Sequence, residues 1–276
     1  MIQDIYPHTL KNQYDRTAQP GNNDWVMYFK DQDILLKDPG QNKIELPKVS
    51  DFGLNHHYTY LFSVDDEMYF KLEDEAIVPA GFDFLSVKKI RRSDMGPQHK
   101  AFAVVTAGHL NDWYRDSQFC GRCGNKMEHS IAERAMVCKS CGNVVYPRIM
   151  PAVIVGVKNG DKILITKYKE GYGHSALVAG FTEIGETLEE TVAREVMEET
   201  GVHVKNIRYY KSQPWGTSND ILMGFYCELD GDEHIHIDNV ELKYGEWVER
   251  DKIVLQPDNY SLTNEMMRRF KEGIEK

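Results

Sequence analysis

The stretch that most constrains this chain is Gly180 to Val202, GFTEIGETLEETVAREVMEETGV. Thr187 and Glu190 stand in the Thr-x-x-Glu relation of a capping box, which marks a helix N-terminus. Gly201 suits the position just past the helix end, because glycine enters the left-handed conformation without a Cβ penalty. A helix of about three to four turns is expected between them. On it Glu195, Glu198 and Glu199 fall at i, i+3 and i+4, within an arc of about 100°. Three neighbouring carboxylates repel one another, and a hard divalent cation that takes oxygen ligands, such as Mg²⁺, relieves the repulsion. Leu188, Val192 and Val196 form an adjoining apolar stripe, so the acidic face borders a core. The competing reading is a solvated acidic face on an ordinary Glu-rich helix.

A second pattern is Cys120-Gly-Arg-Cys123, then fourteen residues, then Cys138-Lys-Ser-Cys141. Two such knuckles at this separation are the signature of a tetrahedral Zn²⁺ site. Gly124 and Gly142 each follow the second cysteine of a pair, where a tight turn lets backbone N–H groups face the sulfurs. A redox dithiol pair is the rival. Four thiolates leave no open coordination position, so the predicted zinc is structural. Cys227 sits in an apolar run and reads as a small buried hydrophobe.

The 276 residues suffice for one large or two medium domains. There are 43 acidic and 33 basic residues, a net charge of −10, which disfavours a general affinity for nucleic-acid backbones while leaving a local basic groove open. No apolar run approaches bilayer length and the N-terminus carries no signal-peptide pattern, so a cytoplasmic protein without a membrane partner is expected. In that compartment cysteines serve as metal ligands or free thiols rather than disulfides.

Residues 1–97 read as a β-rich domain: WVMYF (25–29), DILL (33–36), YTYLF (58–62) and MYFKL (68–72), punctuated by Asp38-Pro39-Gly40, Gly53 and Asp65-Asp66. His56-His57 is a candidate metal pair, though successive strand residues point to opposite faces and a structural role is preferred. A helix from about His99 to Asp116 follows, then the cysteine knuckles, making a second segment of 98–147. Over 148–276 the chain offers strands at PAVIVGV (151–157), KILITK (162–167), VKNIRYY (204–210), ILMGFYCEL (221–229), EHIHI (233–237) and GEWVE (245–249), with Asn159-Gly160 as a hairpin turn. A closing helix is expected from about Ser261 to Glu275. Strands around one helix with a terminal helix suit a mixed sheet between helices, and the whole is α+β.

The stretch 180–202 resembles the Nudix box, G-x5-E-x7-R-E-U-x-E-E-x-G-U with U apolar, at every fixed position. The resemblance implies a hydrolase that cleaves a diphosphate linked to another group with Mg²⁺ or Mn²⁺, on an α/β/α sandwich with a mixed sheet. The upstream ribbon, the linking CG-x-x-x-YPR-x-x-P and Ser212-Gln213-Pro214-Trp215 resemble the NADH pyrophosphatase family. Where that family continues Pro-Phe-Pro, this chain has Gly216-Thr217-Ser218. The family implies hydrolysis of NADH or NAD⁺ to AMP and nicotinamide mononucleotide. It implies Glu195 and Glu199 as principal ligands, the Gly180 carbonyl as a further one, Glu198 as ligand or general base, and Arg194 holding the glutamates in place. It also implies a catalytic and metal-binding role for Glu241, six residues before Trp247, against the alternative of an exposed strand-end glutamate. Tyr146 and Phe181 match ring-stacking positions, with core packing as the alternative, while Ser212, Gln213, Trp215 and Thr263 complete the expected substrate contacts. Removal of NAD caps from RNA 5′ ends is the alternative activity, with Arg268, Arg269 and Lys271 as the nearest basic cluster. A binding module with a decayed enzyme domain is a third reading, against which the intact box speaks. The family further implies a homodimer, and the Gly-Thr-Ser loop is expected to be flexible and to relax substrate selectivity.

Overall fold

The computed structural model describes residues 1–37, 43–92, 95–169, 173–237 and 242–275. The chain divides into two compact units, one of Ile2–Arg148 with Gly216–Asn219, the other of Ile149–Trp215 and Asp220–Lys276 with Met1.

The first unit opens with β1 (Leu10–Lys11), β2 (Trp25–Met27), β3 (Phe29–Lys30) and β4 (Asp33–Lys37), then a helical turn α1 (Val49–Phe52). Next come β5 (Tyr58–Val64), β6 (Glu67–Leu72) and β7 (Phe82–Ser86). The run expected as one strand over 25–29 is split: β2 joins the sheet β1-β5-β6-β2, while β3 joins β3-β4-β7. Asp31 and Asp65 turn the β3–β4 and β5–β6 hairpins at φ 54° each, a left-handed conformation that aspartate tolerates better than most residues. The Asp38-Pro39-Gly40 punctuation lies outside the described residues. His56 and His57 both turn to Asp74, with Nδ1 atoms 3.4 and 3.0 Å from its carboxylate.

After α2 (Val87–Arg92) comes the long helix α3 (Gln98–Asp116), whose Phe102, Val105, Leu110, Trp113 and Tyr114 are buried as their spacing predicts. The ribbon follows as three short strands, β8 (Glu128–His129), β9 (Met136–Val137) and β10 (Val144–Val145), in the order β10-β9-β8.

The second unit carries β11 (Met150–Asn159), β12 (Lys162–Tyr168), β13 (Val178–Phe181), α4 (Leu188–Thr200), β14 (His203–Trp215), β15 (Asp220–Asp230), β16 (Leu242–Glu249) and α5 (Leu262–Lys271). The sheet runs β14-β15-β11-β12-β16 with β13 on β11, and it is mixed: β11 and β15 are parallel, the other pairs antiparallel. Gly160 turns the β11–β12 hairpin at φ 58°, as Asn-Gly predicts. On one face Val153, Val155, Val157, Phe225 and Cys227 pack against Val192 and Val196 of α4. Cys227 is 1 % exposed, and burial pushes its thiol up to about 12. On the other face α5 comes close enough that a Cβ on Gly224 would meet Met266 Sδ at 2.7 Å. The Tyr226 hydroxyl donates to the Met266 carbonyl from the same face. The second unit is therefore a sandwich of α4, sheet and α5.

Two expectations need correction. EHIHI (233–237) forms no strand; His236 N–H donates instead to the Thr200 carbonyl at the end of α4. Its Cβ would lie 3.0 Å from one on Gly201, so capping the helix takes the place of a sheet edge. The closing helix ends at Lys271, with Gly273 at φ 72° shortly after it. Among the described residues no helix is long and apolar enough to cross a membrane.

Candidate functional site

The acidic helix α4 begins as its capping box dictates: Glu190 N–H donates to Thr187 Oγ1, and the Glu190 carboxylate accepts from Thr187 N–H. It ends at Gly201, left-handed at φ 71° and ψ 9°. Between these stops the apolar stripe sinks into the core and draws the acidic face to the sheet. Side-chain exposure is 13 % for Glu195 and 59 % for Glu198, while residue Glu199 is 6 % exposed.

Arg194 organises this face. Its Nη1 donates to Glu195 Oε1 at 2.7 Å and Glu198 Oε2 at 3.0 Å, and its Nη2 to the Phe181 carbonyl at 2.9 Å. The other edge of the guanidinium grips Glu186 in a two-pronged pair, Nε to Oε1 at 2.5 Å and Nη2 to Oε2 at 2.9 Å. The Arg194 bonds hold the Glu186 carboxyl down to about 2, helped by the Glu183 N–H. Glu186 is thus a positioning residue that sequence reasoning left without a role, although its fixed place in the motif was a visible signal. Gly180 has an equally local reason. A Cβ there would stand 1.9–2.2 Å from the Glu195 carboxyl atoms, so the carboxylate rests on bare backbone. Among the described residues only the four cysteines lie close enough together to hold a metal as they stand; the carboxylate oxygens of α4, with Glu195 resting on Gly180, are the donor type that a hard divalent cation, Mg²⁺ or Mn²⁺, takes.

The ring residues divide by face. Residues paired directly across strands project from the same side. Phe181 pairs with Ala152, Ala152 with Leu222, Leu222 with Gln213, and Trp215 with Asp220. All six therefore share the α5 face at one end of the sheet, and Phe181 is half exposed. Ser212 pairs with Met223, which packs on the α4 side, so it does not join them. Gln213 is fully buried, donating to the Tyr260 carbonyl and accepting from Leu262 N–H, both at 2.7 Å. It braces the start of α5, whose first turn contains Thr263. Tyr146 belongs to the first unit, exposed, with its hydroxyl on Glu133. Glu241 lies outside the described residues.

The loop expected to be a flexible wall is packed. A Cβ on Gly216 would sit 2.5 Å from the Val105 carbonyl of α3, so only glycine fits, and the turn is seated on a helix. The C-terminal cations are also engaged: Arg268 with Asn259, Lys271 with the Ile253 carbonyl, and Arg269 over the Tyr210 ring.

In the ribbon the sulfurs of Cys120, Cys123, Cys138 and Cys141 all lie within 4.8 Å of one another, with Cys120–Cys141 at 3.6 Å and Cys123–Cys138 at 3.5 Å. Tetrahedral Zn–S bonds of about 2.3 Å put sulfurs about 3.8 Å apart, so the cluster fits zinc. Both knuckles turn alike, Gly124 N–H onto the Cys120 carbonyl and Gly142 N–H onto that of Cys138, at φ 74° and 70°. Arg122 N–H and the Asn125 amide donate to sulfurs, and the Asn125 bonds bring the Cys123 thiol down to about 6.

Comparison with known proteins places these features together. Residues 148–270 match the NUDIX domain model and 115–146 the NADH pyrophosphatase zinc ribbon domain. A curated relative from Photorhabdus laumondii subsp. laumondii, named NAD-capped RNA hydrolase NudC, is 37 % identical over 187 residues, covering 67 % of this chain and 71 % of its own. One of the same name from Yersinia pestis is 38 % identical over 183 residues, covering 66 % of this chain and 68 % of its own. The crystal structure of a NUDIX hydrolase from Nitrosomonas europaea superposes with a TM-score of 0.50 at 22 % identity, covering 56 % of this chain and 90 % of the other.

Proposed function

The chain belongs to the NADH pyrophosphatase family of zinc-ribbon Nudix hydrolases, and on that footing we propose that it hydrolyses the diphosphate bond of NADH or NAD⁺ to AMP and nicotinamide mononucleotide. The observation that carries this reading is the α4 face, where Arg194 aims two glutamates beside the bare Gly180 backbone. Glu195 and Glu199, with the Gly180 carbonyl, would hold Mg²⁺ or Mn²⁺, which would supply charge neutralisation at the diphosphate and a more acidic bound water. The protein side of the reaction is positional. Glu186 fixes the guanidinium, and the guanidinium fixes Glu195 and Glu198. Glu198, the most exposed of the three, accepts the proton of the attacking water. Phe181, half exposed on the other face of the sheet, stacks against the base. Zinc in the ribbon holds structure and takes no part in the chemistry. A homodimer is proposed from family resemblance, and a monomeric mass at micromolar concentration would remove it.

The relatives' names point to NAD-capped RNA as a second substrate. The net charge of −10 and the internally engaged C-terminal cations favour the free dinucleotide. The test is steady-state release of AMP from NADH and NAD⁺ on adding Mg²⁺, its reversal by a chelator, and the rate on NAD-capped RNA in the same buffer. No metal-dependent cleavage of any dinucleotide sinks the reading, and a higher kcat/KM on capped RNA replaces it with the second one.

A further inference from the structure

Asp220, the first residue of β15, is 5 % exposed, and its Oδ1 is shut off from solvent with no hydrogen-bond partner. Burial alone raises its carboxyl to about 7, with no cation or donor opposing it. A buried carboxylate is costly unless paired. This chain does pair another one: Glu275, with 9 % side-chain exposure, takes Arg208 at 2.6 Å and Lys158 at 3.0 Å, and it titrates below the usual range although burial pulls the other way. An unpaired buried acid beside a proposed substrate face calls for a partner from outside the chain.

Its position says what kind. Asp220 stands opposite Trp215 and beside Met150, and shares the α5 face with Ala152 and the half-exposed Phe181 ring. Two strand spacings, roughly 10 Å, separate β15 from β13 along that face, a span that a base stacked on Phe181 and turned toward β15 would bridge. An ionised carboxylate only accepts hydrogen bonds. Phosphate oxygens are repelled by it, whereas an N–H₂ group at the edge of the ring satisfies it.

We propose that Asp220 is a specificity residue whose carboxylate accepts a hydrogen bond from an exocyclic N–H₂ group on the base of the bound nucleotide. Both halves of the substrate offer that chemistry, the carboxamide of nicotinamide and the amine of adenine, and the experiment separates them. The inference rests on the dinucleotide reading above.

The test compares kcat/KM for NAD⁺, nicotinic acid adenine dinucleotide and nicotinamide hypoxanthine dinucleotide at about pH 8.5, where a carboxyl titrating near 7 is ionised. The first analogue replaces the carboxamide with a carboxylate, the second the amine with an oxo group. In the wild type one replacement lowers kcat/KM about tenfold or more, as expected for a charge-assisted bond, and identifies the half that Asp220 reads. Asp220→Asn, whose amide both donates and accepts, brings that ratio to within about threefold of unity. Wild-type ratios all within about threefold overturn the proposal, as does discrimination that survives in Asp220→Asn. If Asp220→Asn does not fold, Asp220→Ser and the wild-type ratios decide. Calorimetric binding of AMP against IMP, and of nicotinamide mononucleotide against its nicotinic acid counterpart, reads the same preference without turnover. Selective binding without hydrolysis fails the functional reading and keeps the Asp220 assignment; hydrolysis without selectivity does the reverse.

Discussion

In the ribbon four sulfurs converge through backbone turns, two knuckles repeating one hydrogen-bond pattern around Gly124 and Gly142. On α4 two of the carboxylates, Glu195 and Glu198, are instead held by a side chain, Arg194, whose own position depends on Glu186. The first arrangement is closed and fits a metal that never meets substrate. The second keeps Glu198 exposed, as a site that must admit water and a diphosphate requires. A site fixed by turns loses its fold when a ligand is lost, whereas a site fixed by ion pairs loses chemistry and keeps its fold.

That contrast can be broken most directly at Glu198. Glu198→Gln should lower kcat by about 10²–10⁴-fold with an unchanged melting temperature, and retention of most of the wild-type kcat would falsify its assignment. Gly180→Ala drives a methyl into the Glu195 carboxylate. A shift of about 1 Å there should lower kcat about 10²-fold while zinc content stays at one per chain by elemental analysis. Cys138→Ser should do the opposite, losing zinc and dropping Tm by roughly 10 °C with kcat per folded molecule little altered; a metal-free protein with an unchanged Tm defeats the structural assignment. Gly216→Ala, which puts a methyl against the Val105 carbonyl, should cost about 1–3 kcal/mol of stability, read by urea unfolding. The smallest effect concerns acid. Glu186 titrates at about 2 in the folded chain, below its ordinary 4.5, so its contribution is full above the unfolded value and is lost as pH falls toward 2. Glu186→Gln should therefore flatten the stability profile between those limits, and an unaltered profile means the pair is not felt.

Local signals were legible and tertiary ones were not. Thr187, Glu190 and Gly201 announce both ends of α4 because capping is decided within one turn of chain. The four cysteines could be read for the same reason, each knuckle being self-contained. EHIHI has a strand's alternation, yet its fate is set by the approach of His236 to Gly201, which no window of sequence contains. Gln213 was expected at substrate, but its two amide atoms are taken by the start of α5, far along the chain. Asp220 gave no signal because its burial follows from register against Met150 and Trp215.

The turn Gly216–Asn219 joins two strands of the second unit yet groups with the first, its glycine seated on α3. Beyond Met1, the polypeptide therefore changes allegiance three times, at 148/149, 215/216 and 219/220. Modular recombination usually works by cutting at a single linker, and here one cut is insufficient. A fragment beginning at Ile149 would retain a hairpin tip shaped for a helix it no longer possesses. Grafting this ribbon onto another hydrolase domain would require exchanging the tip together with α3, so the two are expected to travel as one heritable cassette.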